Sequence, residues 1–406
     1  MCAKRNPNTA TQQQYPQARC IHQLIEQQVR CTPQALALTD GQQTMSYREL
    51  NERANQLAHC LQTLGIKPNV PVGACLERGI ELIIGLLGIL KAGGAYVPFD
   101  PTSPTERLAF MREDVQAPVL VTQSKLASRF SSQGTSVLCL DTDACWLTQQ
   151  SMDDPYSGAT GNDLAYVLYT SGSTGMPKGV QITHSNVLNL VFWHQNAFSL
   201  VPSDRASQQT SPAFDAAGWE IWPYLTCGAS VHVIAESIRK QPLALRDWFL
   251  AKNITMAFLP TPLAEQVITL EWPHCTSLRF LLTGGDTLHR YPPASLPFTL
   301  VNNYGPTETT VVATSGPILP AARSASPPTI GRPIANTQIY ILDEEGQQVA
   351  PGVVGELYIG GMELLVATFI DRSSQQNSLS PIPLRRSLGL VCIEQVIGAV
   401  IVKMEK

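Results

Sequence analysis

Short apolar runs alternate with helical stretches between residues 70 and 122, and that alternation restricts the fold more than any other feature of the chain. Residues 70–76 read as a buried strand and 80–91 as a buried helix stopped by Gly93 and Gly94. Residues 95–99 read as a strand, 104–114 as a helix with proline at an early position, and 119–122 as a further strand. The pattern returns at 231–234, 256–259 and 280–283, three strand-like runs separated by helical stretches. Such repetition predicts an α/β fold with largely parallel sheets. A chain of 406 residues with 44% hydrophobic content can bury more core than one ordinary domain needs. One large multilayer domain and two or three packed subdomains both satisfy that length.

Other segments fill in the organisation. Ile21, Leu24, Ile25 and Val29 recur at helical spacing. Ser46 with Glu49 three residues on predicts a capping box, followed by an apolar face through Ala54, Leu57, Ala58 and Leu61 that stops at Gly65. Residues 317–333, rich in Pro, Ala and Ser, read as an exposed connection. Residues 337–342 and 356–359 alternate like antiparallel strands, with Glu344, Glu345 and Gly346 as the turn. Residues 1–19, rich in Gln, Asn, Thr and Pro, read as a disordered lead-in or linker, 20–361 as one core, and 362–406 as a tail of different character.

Composition excludes several classes. A formal net charge of -4 gives no nucleic-acid footprint. The ten cysteines are scattered, with no Cys-x-x-Cys pair and no zinc-site spacing, which fits free thiols in a reducing cytosol. The N-terminus lacks the apolar core of a signal peptide. The apolar run 80–90 is too short for a membrane span, and Glu394 and Gln395 interrupt the run 388–402. A cytoplasmic protein with no membrane partner is expected.

The chemistry concentrates at Thr170, Ser171, Gly172, Ser173, Thr174 and Gly175, which follow the apolar run 165–169. Glycines let the backbone turn and approach a ligand, and N–H groups and hydroxyls converge on phosphate oxygens. Lys178 supplies a cation for the same charge. Met176 and Pro177 separate Gly175 from Lys178, and Gly179 follows, so the Gly-Lys-Ser/Thr of a P-loop NTPase is not present. A flexible Ser/Gly linker is the bland alternative. The strand before the loop and the Pro-Lys-Gly after it argue against that.

Residues 164–179 resemble the signature loop of the adenylate-forming superfamily, which includes acyl-CoA synthetases, luciferases and the adenylation domains of nonribosomal peptide synthetases. Segments 45–50, 90–100, 214–216, 303–308 and 355–361 resemble the peptide-synthetase branch in the same chain order. The resemblance implies an α/β fold of layered αβαβα sheets with a small distorted β-barrel. It also implies adenylation of an amino acid, with ATP and Mg2+ as cofactors and peptidyl carrier protein and condensation modules as partners. Lys178 and the loop would cradle the triphosphate, Thr307 would contact the α-phosphate, and Glu308 would hold magnesium. Tyr304 would stack on adenine, with Gly284, Gly285 and Asp286 closing the purine pocket. An ordinary surface carboxylate is the alternative for Glu308.

Asp215 bears on substrate class. It sits in a mostly apolar stretch, where a carboxylate usually has a cationic partner. In the family this position grips the α-ammonium of an amino acid; capping a helix is its alternative role. By position relative to the motifs, the side-chain pocket would comprise Ala216, Trp219, Phe258, Leu282, Gly284, Asn303, Val311 and Val312. That set is apolar, carries no second charge, and is similar to the family's leucine-type pocket. His184 fits either a place near the active site or packing at a helix start, whereas Trp193, His194 and Gln195 show no interpretable spacing. The family's Arg-Thr-Gly-Asp segment and C-terminal lysine domain have no counterpart after Gly361, where a frameshifted or broken tail is expected, with impaired adenylation. An acyl- or aryl-CoA ligase and a catalytically dead binding remnant are the competing functions.

Overall fold

The computed structural model describes residues 11–16, 19–130, 135–171, 177–321, 326–350 and 352–361, with the backbone of 368–369 and 390–392. The helix Ile80–Ala92 dictates the layering. All of its residues but Glu81 are buried, so it has no face to leave in water. Gly93 stops it in the left-handed region at φ 95°, and the strand Ala95–Pro98 follows directly.

Two large sheets enclose that helix together with Tyr47–Thr63 and His184–Ala197. One sheet has seven strands and the other nine. Their interiors pair in parallel, for example Pro71–Cys75 with Ala95–Pro98 and with Val119–Thr122, and Met256–Pro260 with Phe280–Gly284. Successive side chains of a strand point to opposite faces. Val119 and Val121 accordingly join the central core, while Leu120 faces the outer helix Thr105–Val115. Met256 and Phe258 likewise face inward, and Ala257 and Leu259 pack on the outer helices Pro242–Ala251 and Thr261–Val267. The result is the expected αβαβα stack. A smaller antiparallel sheet of Thr337–Leu342, Glu356–Gly361 and Leu390–Cys392 completes the described β structure.

Several expectations change in detail. The connection 317–333 begins and ends in strand: Thr314–Ile318 pairs antiparallel with Thr299–Tyr304, and Arg332–Pro333 pairs with its first two residues. Pro317 is tolerated there because its second side lies beyond that short pairing and needs no N–H. The turn at Glu344–Gly346 is present, with Gly346 N–H donating to Asp343 O at 3.0 Å, but it first brings Gln348 back against Leu342, and the paired strand itself begins only at Glu356. The lead-in is anchored over its described part. The Asn336 N–H donates to Thr11 O at 2.8 Å, and Tyr15 stacks on Phe192 at 5.3 Å. Of the tail, Thr368–Phe369 pairs with Gly179 and Val180; the rest lies outside the described residues, apart from the short strand Leu390–Cys392. No helix among the described residues is long and apolar enough to cross a membrane.

Lys91 is the one charged group on the central helix's last turn, and it is fully buried. Its ammonium pairs with Glu26 from the helix Ile21–Cys31 and, at 3.2 Å, with Asp154. Asn51 and Asn55 also donate to Asp154. Removing one partner leaves a buried charge uncompensated. Lys91→Ala should therefore destabilise the fold by about 3–5 kcal/mol, read from the urea unfolding midpoint; a loss below about 1 kcal/mol, the range of exposed pairs, would contradict this.

Candidate active site

The ends of several strands converge on one region. The strand Leu164–Ser171 pairs antiparallel with Pro177–Thr183, which puts Thr170 directly across from Lys178 and Ser171, described by its backbone, across from Pro177. The loop expectation at Gly172, Ser173, Thr174 and Gly175 lies outside the described residues. Lys178 reaches toward Glu308, Nζ to Oε1 3.9 Å, with both side chains partly exposed. Glu308 and Thr307 belong to a single 3-10 turn, Thr307–Thr309, led by Pro306.

That turn also reaches Asp215. The Thr307 hydroxyl hydrogen-bonds the Asp215 carboxyl, which accepts from Ala216 N–H at 2.8 Å at the start of the short helix Ala216–Trp219. Asp215 thus does cap a helix. Burial raises its pKa and the Glu308 charge adds to that, while the Thr307 and Ala216 hydrogen bonds oppose it. Among the described residues no Lys, Arg or His forms an ion pair with it. A carboxyl so placed is short of one positive charge.

Asp215 lines a small cavity together with Gly218, Trp219, Trp222 and Pro223 of the same helical region, Tyr166, Val187, Leu190 and Val191 of the central layer, and Val311. Of the expected pocket residues, Asp215, Trp219 and Val311 line this cavity. Phe258 meets the Trp219 ring at 5.5 Å, and Leu282 is its cross-strand partner. Ala216 and Val312 are buried beside them. Val311 is a β-branched residue at φ 73°, following Thr310 at φ 56°, a conformation that costs on the order of 1–3 kcal/mol and is concentrated at functional sites. The turn is held by Ala313 N–H donating to Tyr304 O at 2.8 Å.

Gly284 ends its strand, and a Cβ there would come within 2.5 Å of Asn303 O. Close approach of two strands therefore demands glycine, a different reason from leaving pocket room. Asn303 donates to Thr283 O at 3.0 Å, and its Oδ1 is buried with no partner among the described residues. Gly285 follows at φ 85° with open space around it, and Asp286 and the partly buried Tyr304 flank the same strand ends.

Nothing in the linear pattern marks Tyr166, Val187, Leu190, Val191 or Trp222 as cavity residues, because distant segments supply them. Zinc-like spacing is equally absent, yet the fold gathers Cys20, His22 and His184 with ligand atoms within 4.8 Å. His184 Nδ1 accepts from Ile21 N–H at 3.4 Å. Its Nε2 is buried with no partner among the described residues, and the ring sits at the start of the helix His184–Ala197.

This arrangement is that of an adenylate-forming enzyme: a pair of strands carrying Thr170 and Lys178, a Thr-Glu turn, and a partly buried carboxyl beside an apolar cavity. The chain belongs to the AMP-binding enzyme family, which it matches over residues 25–366. It is 50% identical over 357 residues to a component of the linear gramicidin synthase of Brevibacillus parabrevis, a match covering 88% of this chain and 5% of that protein. It is 44% identical over 354 residues to a component of the surfactin synthase of Bacillus subtilis (strain 168), covering 86% and 10%. Among solved structures it is similar to the nonribosomal peptide synthetase FmoA3 in its AMPPNP-bound form, with a TM-score of 0.82, 29% identity, and coverage of 90% of this chain and 40% of that one. The chain spans a small part of the length of the synthases it matches.

Glu220 secures the far end of the Asp215 helix. It is buried and accepts from Thr210 N–H at 2.9 Å and Gln209 N–H at 3.1 Å. Burial pushes its carboxyl up from 4.5 to about 8, against the pull of those N–H groups. The folded state holds this proton more tightly than the unfolded chain does. Its stabilisation is full below 4.5 and is lost as pH rises through about 8. Glu220→Gln should gain melting temperature relative to wild type as pH rises across that window, since buried histidines that titrate at acid pH are common to both proteins. A difference that stays constant with pH would contradict the assignment.

Proposed function

We propose that this chain adenylates an amino acid with an aliphatic, leucine-like side chain, using ATP. Asp215 carries the reading: a partly buried residue whose carboxyl is pushed up in pKa by desolvation, in the wall of an apolar cavity, with no cation paired to it among the described residues. An α-ammonium supplies the missing charge, and an aliphatic side chain suits the apolar wall. A fatty or aryl acid has no ammonium to offer and would leave Asp215 uncompensated.

In the reaction a carboxylate oxygen of the amino acid bonds to the α-phosphorus of ATP, the α–β anhydride bond breaks, and pyrophosphate leaves with that electron pair. Two anions must approach one another, so oriented donors and cations are required. Lys178 and Thr170 would hold the triphosphate, together with the loop that follows Thr170 in sequence, and Thr307 would meet the α-phosphate. Tyr304 would stack on adenine, with Gly284, Gly285 and Asp286 closing that pocket. Glu308 fits Mg2+, a hard cation that takes one or two protein carboxylates beside phosphate oxygens, and the ion would neutralise phosphate charge there. The relatives are synthases of linear gramicidin and surfactin, so a peptidyl carrier protein and condensation modules are the partners this reading implies.

Amino-acid-dependent exchange of pyrophosphate into ATP tests the assignment. Leucine should support exchange, and fatty and aryl acids should not. Asp215→Asn should lower kcat/KM for leucine by at least about thirtyfold, because truncating one partner of a desolvated charge pair costs roughly 2–5 kcal/mol, with ATP affinity retained. Equal exchange with a fatty acid, or an Asp215→Asn protein as active on leucine as wild type, would sink it.

A further inference from the structure

Trp219 is a bulky part of the cavity wall, and its indole is pinned from one side. Its Nε1–H donates to His194 Nδ1 at 3.0 Å, with the rings edge-on at 85° and centroids 5.5 Å apart. An indole nitrogen only donates, so His194 Nδ1 must be unprotonated and the ring proton lies on Nε2. Nε2 sits 3.1 Å from the Tyr224 hydroxyl and donates to it. The relay fixes the tautomer without any outside group. Burial also pushes the His194 pKa down to about 3, so the ring stays neutral and Nδ1 keeps its lone pair at ordinary pH. The ring has little freedom to turn, since Trp193, Phe198 and Tyr224 pack around it.

The same helix builds the cavity wall. Val187, Leu190 and Val191 line it, and His194 stands four and three residues beyond the last two, on the same helical face. One rigid element therefore supplies both the wall and the bracket that orients the facing indole. Among the described residues the other ring Trp219 meets is Phe258, which offers no hydrogen bond to hold it.

We propose that His194 is a positioning residue for substrate selection: by holding the Trp219 indole in one orientation it sets the size of the side-chain pocket and admits a leucine-sized group in preference to an aromatic one. This rests on the reading of the Asp215 cavity as an amino-acid site. Selection by an apolar pocket is worth only about 10–200-fold per methylene, so a modest change in the indole's freedom is enough to erode it.

Calorimetry with non-hydrolysable sulfamoyl analogues of leucyl- and phenylalanyl-adenylate tests the proposal. Wild type should prefer the leucyl analogue. His194→Phe keeps ring bulk but removes the acceptor, and the leucyl-to-phenylalanyl affinity ratio should fall by roughly tenfold. His194→Asn, whose amide oxygen can take the place of Nδ1, should restore most of that ratio. In a Trp219→Phe background, His194→Phe should change the ratio by less than about twofold, because the two residues act as one unit. Should His194→Phe not fold, Tyr224→Phe is the milder variant: it unpins Nε2 and should lower the ratio by about threefold. An unchanged ratio, or an equal loss for both analogues, would make His194 structural only and overturn the proposal. Wild type binding neither analogue would instead overturn the amino-acid reading on which it rests.

Discussion

The helix Ile80–Ala92 cannot rest on a surface, because it is apolar on every side. It must be covered from two directions, and two largely parallel sheets with helices outside them are the way this chain covers it. Parallel pairing then aligns the strand ends. Pro260, Gly284 and Tyr304 fall at the C-terminal ends of neighbouring strands, and open α/β sheets bind ligands outside such ends. The ion pair of Lys91 with Glu26 and Asp154 closes the same layer where the chain leaves the helix.

The candidate site depends on that scaffold in a second way. Its cavity draws on a strand of one sheet through Tyr166, on the central layer through Leu190 and Val191, on the Asp215 helix through Trp219, and on the next short helix through Trp222. No single segment contains it. Its polarity is concentrated in one carboxyl that the protein itself leaves without a cation among the described residues, and its strain is concentrated at Thr310 and Val311. Both are costs to the fold, and both are reasonable only where a ligand returns the energy.

What can be read from the sequence is what is local. The Ser46–Glu49 capping box forms as spaced, with Ser46 N–H donating to Glu49 Oε2 at 2.7 Å. Val119–Thr122 and the stop at Gly93 are visible from apolar runs and glycine alone. The helix His184–Ala197 is legible only at its start, because polar residues such as Asn186, Asn189 and His194 are buried among its apolar ones and break up the stripe that marks a helix. Its His194 has no interpretable spacing for the same reason; its meaning lies in a contact with a ring 25 residues away. Thr314–Ile318 is hidden by Gly316 and Pro317, which read as a loop until the partner strand is in place. Among site residues, the carboxyl at Asp215 is legible from its apolar neighbours, whereas the central-layer wall of its cavity is not.

The central claim is that Asp215 receives the ammonium group of an amino acid. A crystal structure of the protein with a non-hydrolysable leucyl-adenylate analogue measures this most directly. The account predicts the ammonium nitrogen within about 2.7–3.2 Å of the Asp215 carboxylate, with the isobutyl group against Trp219. An ammonium bound elsewhere, with Asp215 paired to a cation of the protein itself, would contradict it.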